Sequence, residues 1–297
     1  MEEAIGAMNF WTILSNIFTL PLLLATLRLS TPIALIALGE TYSERSGIIN
    51  VGVEGTALLG ALVSSLVAYF TGSAWIALLA AVITGGLAGG LHALWCVRFR
   101  ANHVVSGIAI NILVGGLALF ITSAVWGWRG TSPSSPPLNT WYIVGAMFVL
   151  VFLSQVFIFH TRWGLRLRVV GEKPEAADTA GINVHRTRYI YTILNGMLCG
   201  LAGAFFFNNV TRFTSGMVGG RGFIGIAAMV VGNYSPVGAL GAALLFGFID
   251  ALQMRLQTYI PSQVSIMLPY LITVLVLAFL IKRAQVPAGL GKHYVKQ

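Results

Sequence analysis

Long apolar runs alternate with short polar segments along almost the whole chain. A transmembrane helix needs about 20 mainly apolar residues. The candidate segments are Leu20–Thr41, Ile48–Phe70, Ala74–Val97, Val104–Trp126, Trp141–His160, Tyr189–Asn208, Phe223–Asn233, Val237–Gln257 and Ser265–Ile281. The seventh is short and glycine-rich, which indicates a broken or partly re-entrant helix, and Phe10–Leu20 adds a short or interfacial turn. The pattern predicts an all-α polytopic membrane protein of about nine transmembrane helices, folded as one domain over residues 1–297.

The longest polar segment inside the chain is Thr161–Arg188. Within it, Pro174–Ala180 is predicted to form a short helix, because proline suits the first helical position. Glu175 and Asp178 place negative charge in the early turns, where the helix dipole favours it. Gly181 can take the left-handed conformation that ends a helix. The small alanines of this helix leave a face that another protein can approach closely. The alternative is a solvated loop with an incidental turn.

The composition excludes a soluble globular protein. The chain has 297 residues, of which 57% are hydrophobic and 9% charged, whereas soluble domains carry about 25% charged residues. The net charge of +9 does not indicate nucleic-acid binding, because the basic residues collect at the ends of the apolar segments. The acidic start predicts no cleavable signal peptide. Cys96 and Cys199 lie in apolar runs and are predicted to be packing residues.

The distribution of lysine and arginine predicts the orientation. With Thr161–Arg188 in the cytoplasm, alternation of the segments places 13 of the 18 basic residues on that side. They are Arg45, Arg98, Arg100, Arg162, Arg166, Arg168, Lys173, Arg186, Arg188, Lys282, Arg283, Lys292 and Lys296. This bias favours an outside N-terminus and an inside C-terminus. The proline-rich stretch Gly127–Thr140 is then an extended external connection, bracketed by interfacial tryptophans.

Polar side chains inside the apolar segments are the candidates for a solute pathway. A charged group at the bilayer centre costs about 2.5–3.5 kcal/mol on insertion scales. The predicted pathway residues are Asn50, Glu54, Asn111, Asn195, Asp250 and Gln253. Asn50 and Glu54 are four apart, Asp250 and Gln253 three apart, and each pair is expected to share a helix face. The alternative is that these groups pair with one another or with the backbone and fix the bundle. Arg28 can extend outward to the interface.

Glycines spaced four apart predict close helix packing in lipid. The pairs are Gly85 and Gly89, Gly86 and Gly90, and Gly196 and Gly200. By contrast, the sequence carries no nucleotide-binding GxxxxGK[ST] loop, no HExxH, no GxSxG and no paired-cysteine metal spacing. The five histidines are scattered near segment ends and are predicted to pack at the interface. We therefore expect neither an enzyme nor a cofactor or metal site.

Three motifs resemble one transporter family. They are residues 37–55 (ALGETYSERSGIINVGVEG), 171–182 (GEKPEAADTAGI) and the glycine-rich stretch 222–241 (GFIGIAAMVVGNYSPVGALG). Together they resemble the permease subunits of ABC importers, in the branch that includes branched-chain amino acid, ribose-type sugar and nucleoside permeases. The resemblance extends from about Leu27 to Ile281. The compact length and the first motif are most similar to the nucleoside and simple-sugar subgroup.

The resemblance implies a bacterial inner-membrane subunit that works as a dimer, most often with a second, related permease. Two ATPase subunits would dock on the coupling segment, and an external binding protein would deliver the solute. The coupling residues by this resemblance are Glu172, Lys173, Pro174, Glu175, Ala176, Ala177, Asp178, Thr179, Ala180 and Gly181. Nucleosides are the favoured solute, with simple sugars and riboflavin as alternatives. The resemblance also implies that the subunit contacts membrane lipid and has no nucleic-acid partner.

Two other classes of function remain open at this point. One is an ion-coupled secondary transporter that uses Glu54 or Asp250 as a titrating carboxylate. The other is an intramembrane enzyme, for which the sequence offers no convincing convergence of nucleophile and base.

Overall fold

The computed structural model describes residues 19–257, 261–280 and 285–295. The helices are α1 Leu20–Arg45, α2 Val53–Thr71, α3 Ala74–Ala93, α4 His103–Trp126, α5 Thr140–His160, α6 Arg162–Glu172, α7 Pro174–Thr179, α8 Val184–Val210, α9 Arg221–Val231, α10 Pro236–Leu256 and α11 Ser262–Leu280. A π-helical turn, Leu94–Arg98, extends α3. Over the described ranges the fold is all-helical, and pairing between extended segments is limited to the isolated bridge between Thr131 and Thr214.

Among the described residues, seven helices are long and apolar enough to cross a membrane, judged by length and composition. They are α1, α2, α3 with its π-helical turn, α4, α5, α8 and α10. The all-α membrane class is therefore confirmed. The count of nine stays a prediction, because the shorter apolar stretches Arg221–Val231 and Gln263–Leu275 do not reach the same length. The predicted interfacial turn Phe10–Leu20 lies almost entirely outside the described residues.

Helices α1, α2 and α8 form the centre of the bundle. In their most apolar windows 67%, 61% and 72% of the residues are buried, against 28% for α4. Helix α8 approaches its neighbours through glycine. A Cβ atom placed on Gly196 would collide with the carbonyl oxygen of Gly85 in α3, and one on Gly203 would collide with that of Ala57 in α2. The prediction of dense packing by glycines four apart is confirmed for these faces.

The connections gather at two ends of the bundle. At one end, Gly291 N–H donates to the carbonyl of Gly47 at 3.0 Å, and Gly289 N–H donates to that of Gly171 at 2.8 Å. We call this the basic end, because it holds Arg45, the α6–α7 segment and the chain after Gln285. At the opposite end, Ser132 N–H donates to the carbonyl of Phe213 at 3.1 Å. The segments that alternation assigns to one side thus lie together in the fold.

Several predicted boundaries are wrong. Helix α1 continues to Arg45, through the predicted connection, because no proline or glycine lies between Glu40 and Gly47. Residues 48–52 are not helical, so Asn50 and Glu54 do not share a helix face. The polar segment Thr161–Arg188 is mostly helical, and its central helix ends at Thr179, one residue earlier than predicted.

The seventh apolar segment forms a half-length helix. Helix α9 has 11 residues, which span about 16 Å, roughly half of a 30 Å hydrocarbon core. Residues 211–220 before it are irregular. They start at the opposite end, where Ser135 N–H donates to the Thr211 carbonyl at 3.0 Å. They finish beside Glu54 of α2, to which Gly220 N–H donates at 2.8 Å. The irregular segment therefore descends into the bundle before α9 completes the crossing.

Candidate functional site

A carboxylate caps the buried start of α9. Glu54 accepts hydrogen bonds from the backbone N–H groups of Gly220 and Gly222, at 2.8 Å and 2.7 Å. Gly222 permits this approach, since a Cβ atom there would lie 2.7 Å from the Glu54 Cα atom. The N-terminus of a helix carries a partial positive charge and unpaired donors. Glu54 therefore satisfies both the donors and the charge at this site.

An ion pair lies next to this cap. The Arg221 Nε atom is 3.3 Å from a carboxylate oxygen of Asp250 in α10, and the two side chains are 26% and 8% exposed. The Arg221 guanidinium also lies 6.0 Å from the ring centre of Phe206 in α8. We call Glu54, Gly220, Arg221, Gly222 and Asp250 the α9 layer. It contains a helix N-terminus and an arginine, each matched by a carboxylate, so its charges are balanced.

The backbone leading into the α9 layer is open. Cβ atoms placed on Gly216 and Gly220 would meet nothing within 4 Å, and Gly219 is exposed. Irregular backbone at membrane depth is tolerated only where protein covers it or where it lines a water-filled cavity. Within this chain, the glycine-rich approach to α9 is uncovered, so it can line a polar passage.

A second polar group is fully enclosed. Asn50 donates to Asn195 of α8 at 2.7 Å, and Asn195 donates to Glu40 of α1 at 2.6 Å. All three residues are 0% exposed. Asn50 also accepts from Gly52 N–H at 3.0 Å. This chain of side chains ties α1, α8 and the start of α2 together, and the described residues leave no opening to it.

The six predicted pathway residues therefore divide. Glu54 and Asp250 lie in the α9 layer, whereas Asn50 and Asn195 lie in the enclosed chain. Asn111 of α4 pins the start of α2, accepting from Gly55 N–H at 2.7 Å and donating to the Val51 carbonyl at 3.0 Å. Gln253 lies about one turn beyond Asp250 on α10 and is partly exposed, and Arg28 is exposed on α1.

Sequence reasoning missed three charged residues. Alternation of the segments places Arg221 outside, although it belongs to the α9 layer. Glu40 and Glu44 stand out only as part of a motif. The signal for them was their spacing of four at the end of an apolar run, in a chain with only nine acidic residues. Glu44 is hydrogen-bonded to the Tyr234 side chain. Burial raises the pKa of Tyr234, and the neighbouring Glu44 carboxyl raises it further, so the phenol stays protonated and donates.

At the basic end, α7 has one attached face and one free face. Pro174 and Ala177 are buried, and Ala177 packs with Val170, Val184 and Tyr294. Glu175 is exposed. Of the alanines predicted to leave an approachable face, Ala177 is buried and fixes the helix to the protein. Its neighbours Ala176, Thr179 and Ala180 are exposed beside Glu175.

The chain after Gln285 holds α6 and α7 against the bundle. Ala288 N–H donates to the carboxylate of Glu172 at 3.1 Å. Arg188 is 2% exposed and donates to the carbonyls of Ser46 at 3.2 Å and Lys292 at 2.9 Å. This terminal strap links α6, α8 and the end of α1, so α7 cannot move without affecting them.

Comparisons with known proteins agree on one family. The family described as "Branched-chain amino acid transport system / permease component" matches residues 22–277. A guanosine ABC transporter permease protein of Bacillus subtilis is 39% identical, over 92% of this chain and 95% of its own length. A nucleoside ABC transporter permease protein of Lactococcus lactis is 34% identical, over 94% and 98%. A putative glucose ABC transporter permease protein of Haloferax volcanii is 32% identical, over 94% and 99%.

A solved structure shares the fold. It is described as an inward-facing conformation of a putative metal-chelate type ABC transporter, and it aligns with a TM-score of 0.51. The match covers 87% of this chain and 85% of that chain, at 16% sequence identity. At this identity the likeness concerns the arrangement of the helices alone.

Proposed function

We propose that this chain, which belongs to the permease-component family of branched-chain amino acid transport systems, carries an uncharged nucleoside through the α9 layer. It is the membrane-spanning permease subunit of an ATP-binding-cassette importer, as its nucleoside and sugar relatives are. It is not an enzyme, since ATP hydrolysis belongs to a separate subunit in such transporters. The family also implies substrate-binding partners and paired permeases. The ion-coupled alternative receives no support from the relatives, and both of its carboxylates are engaged, Glu54 by backbone N–H groups and Asp250 by Arg221.

The balanced charge of the α9 layer is the main observation that favours an uncharged solute. An uncompensated helix N-terminus or arginine would attract anions. Here Glu54 neutralises the first and Asp250 the second, so an anionic solute would meet no free positive charge. A neutral solute with many hydroxyl and amide groups can instead exchange hydrogen bonds with the backbone of the exposed residues Gly216 and Gly219. Nucleosides fit this description, and the names of two relatives favour them over sugars.

We assign the coupling role to Glu172–Gly181. Support comes from the geometry of α7, whose buried Pro174 and Ala177 attach it to the protein while Glu175 and Thr179 face outward. A short helix held in this way transmits a push from a docked ATPase without bending. Through the terminal strap, the movement of α7 would also be transmitted to α1 and α8. This end is then cytoplasmic, with the C-terminus inside, the N-terminus outside and the chain in a bacterial inner membrane.

We also propose how the push opens the passage. The glycine contacts between α3 and α8 leave no room for relative movement, so they form a fixed frame. The α9 layer is held by individual hydrogen bonds and one ion pair, which can be broken and re-formed. Rocking of α9 and α10 against the frame would then expose the α9 layer alternately to the two sides of the membrane.

Uptake by the reconstituted assembly tests the cargo. Proteoliposomes would contain this chain with its ATPase, second permease and binding protein, and would be offered guanosine, guanosine monophosphate or glucose. We expect ATP-dependent uptake of guanosine that persists in the presence of an uncoupler, and no uptake of the phosphate ester. Uptake that collapses with the uncoupler at constant ATP would contradict the energy source. Uptake of glucose alone would contradict the proposed nucleoside substrate but would be consistent with an ABC importer.

Docking of the ATPase tests the coupling role. Glu175→Lys reverses an exposed charge on α7 and should reduce co-purification of the ATPase at least severalfold, with parallel loss of uptake. Arg129→Glu is the matched control, because it reverses a charge exposed at the opposite end of the bundle. Equal ATPase recovery from both variants would show that α7 does not form the contact.

A further inference from the structure

A large groove opens on the side of the bundle near the basic end. Its volume is about 1470 Å³, and it lies between α1, α5, α6 and α8. It is separate from the α9 layer, with which it shares no lining residue. Ala180 and Gly181, at the end of the proposed coupling segment, line one edge of it, but neither the proposed transport pathway nor helix α7 accounts for the groove.

The membrane-facing part of the groove is apolar. Phe152 and Leu153 of α5 are 68% and 56% exposed, and Ile190 of α8 is 49% exposed. The lining runs from Leu150 of α5 to Thr161, the residue after the end of that helix, which is a distance of about 16 Å. That depth is about half of a 30 Å hydrocarbon core and therefore matches one leaflet.

The rim of the groove is basic. Arg162 and Arg166 of α6 and Arg186 of α8 line it, and no aspartate or glutamate is among the described residues of the lining. All three arginines are exposed. The nearest acidic residue on α6, Glu172, accepts a hydrogen bond from the terminal strap. The rim thus presents three positive charges beside an apolar wall.

Helix α6 has the features of a helix that lies at a membrane surface. Trp163 and Leu165 are 63% and 54% exposed, on the helix that also buries Leu167 and Val170 against the protein. The Arg166 guanidinium lies 4.8 Å from the ring centre of Trp163. Exposed tryptophan beside arginine is typical of the interface between lipid headgroups and acyl chains.

We propose that this groove binds an anionic phospholipid of the leaflet at the basic end. Its phosphate would contact Arg162, Arg166 and Arg186, and an acyl chain would lie along the wall formed by Leu153 and Ile190. The positive charge of the rim favours an anionic lipid over a zwitterionic one, because the rim has no acidic group that could bind a choline or ethanolamine headgroup. The bound lipid would brace α6, the helix that leads into α7.

The lipids retained by the purified assembly measure its preference for anionic over zwitterionic phospholipid. The assembly would be reconstituted into nanodiscs of phosphatidylglycerol and phosphatidylcholine, extracted, and its bound lipids counted by native mass spectrometry. The unmodified chain should retain phosphatidylglycerol preferentially. Each arginine changed to glutamine should reduce that preference about fivefold, as expected for a basic residue near an anionic surface. The triple variant Arg162→Gln, Arg166→Gln, Arg186→Gln should show none.

The matched control removes two exposed arginines at the opposite end, Arg129→Gln with Arg212→Gln, and should keep the preference. An unchanged preference in the triple variant would overturn the proposal. A photo-crosslinking residue in place of Phe152 gives a second readout that leaves the rim intact. Labelling of phospholipid in the complete assembly is expected. Crosslinking to the second permease chain instead would show that the groove is a subunit interface.

Discussion

Helix α8 meets α3 through a run of backbone contacts, whereas α9 adds side-chain hydrogen bonds and an ion pair to its backbone contact with α2 at Gly222. Gly196 and Gly85 lie so close that neither position has room for a methyl group. Around α9, by contrast, Glu54 reaches two backbone N–H groups and Arg221 reaches Asp250. Backbone contacts in lipid gain from many small van der Waals contacts that are lost together. Side-chain hydrogen bonds can be exchanged one at a time. The contacts around α9 therefore permit movement, whereas the contact between α3 and α8 forms a fixed frame.

The largest effect is expected where the backbone contact is broken. Gly196→Ala places a methyl group against the Gly85 carbonyl, so α8 and α3 must separate, at a cost of about 3 kcal/mol or more. The apparent Tm of the purified chain should fall sharply, and much of the protein should aggregate. Gly116→Ala in α4 is the control, because a Cβ atom there meets nothing within 4 Å. Similar melting of both variants would refute the idea of a fixed frame.

The ion pair of the α9 layer should give the next largest effect. Asp250→Asn leaves the Arg221 charge without its partner, which should cost about 2 kcal/mol in the free energy of unfolding. The double variant Asp250→Asn with Arg221→Gln removes both charges and should recover at least half of that loss. Thermal unfolding of the unmodified chain, Asp250→Asn, Arg221→Gln and the double variant measures the coupling. Additive losses would show that the two side chains do not stabilise each other.

The cap on α9 should matter less. Glu54→Gln keeps one oxygen acceptor but turns an amide N–H₂ toward a backbone donor, so one hydrogen bond is lost, at a cost of about 1 kcal/mol. The expected consequence is a small drop in apparent Tm with a larger loss of guanosine uptake, because the positive end of α9 is no longer neutralised. Full guanosine uptake by Glu54→Gln would show that the α9 layer is not part of the solute pathway.

The smallest effect is expected where a glycine of α9 faces a side chain. A Cβ atom on Gly225 would lie 2.6 Å from the Ile36 Cγ2 atom of α1. The same Cβ atom would lie 2.9 Å from the Ile36 Cβ atom, so α1 and α9 must separate slightly. Because alanine favours the helix and offsets part of this cost, Gly225→Ala should lower the free energy of unfolding by no more than about 1 kcal/mol. Melting as severe as that of Gly196→Ala would mean that α9 is also part of the rigid frame.

Hydropathy predicted the membrane class and most of the long helices, because runs of about 20 apolar residues are typical of membrane-spanning helices and rare in soluble domains. It could not predict the pairing of Glu54 with Gly220 or of Arg221 with Asp250, since these partners are remote along the chain and leave no periodic pattern. The separation of Asn50 from Glu54 depends on where α2 begins, which single-sequence reading locates poorly.

Helix α6 illustrates a different reason for error. Its arginines made the segment Thr161–Arg188 resemble a solvated loop, yet Gly164, Leu167 and Val170 recur every three residues and form its buried face. The amphipathic signal was present and was outweighed by composition. Helix α7, to which we assign the coupling role, was located almost correctly from its proline start and glycine end, because these are local signals.

Spin-label distances test the central claim most directly, that α9 moves against a fixed α3–α8 frame when ATP binds. With Cys96 and Cys199 replaced by alanine, labels would be placed on the exposed Leu79 of α3 and Phe223 of α9, and separately on Leu79 and Ile190 of α8. In the complete assembly, ATP is predicted to change the distance from Leu79 to Phe223 and to leave the distance from Leu79 to Ile190 unchanged. A change in the second distance, or none in the first while transport proceeds, would contradict the account.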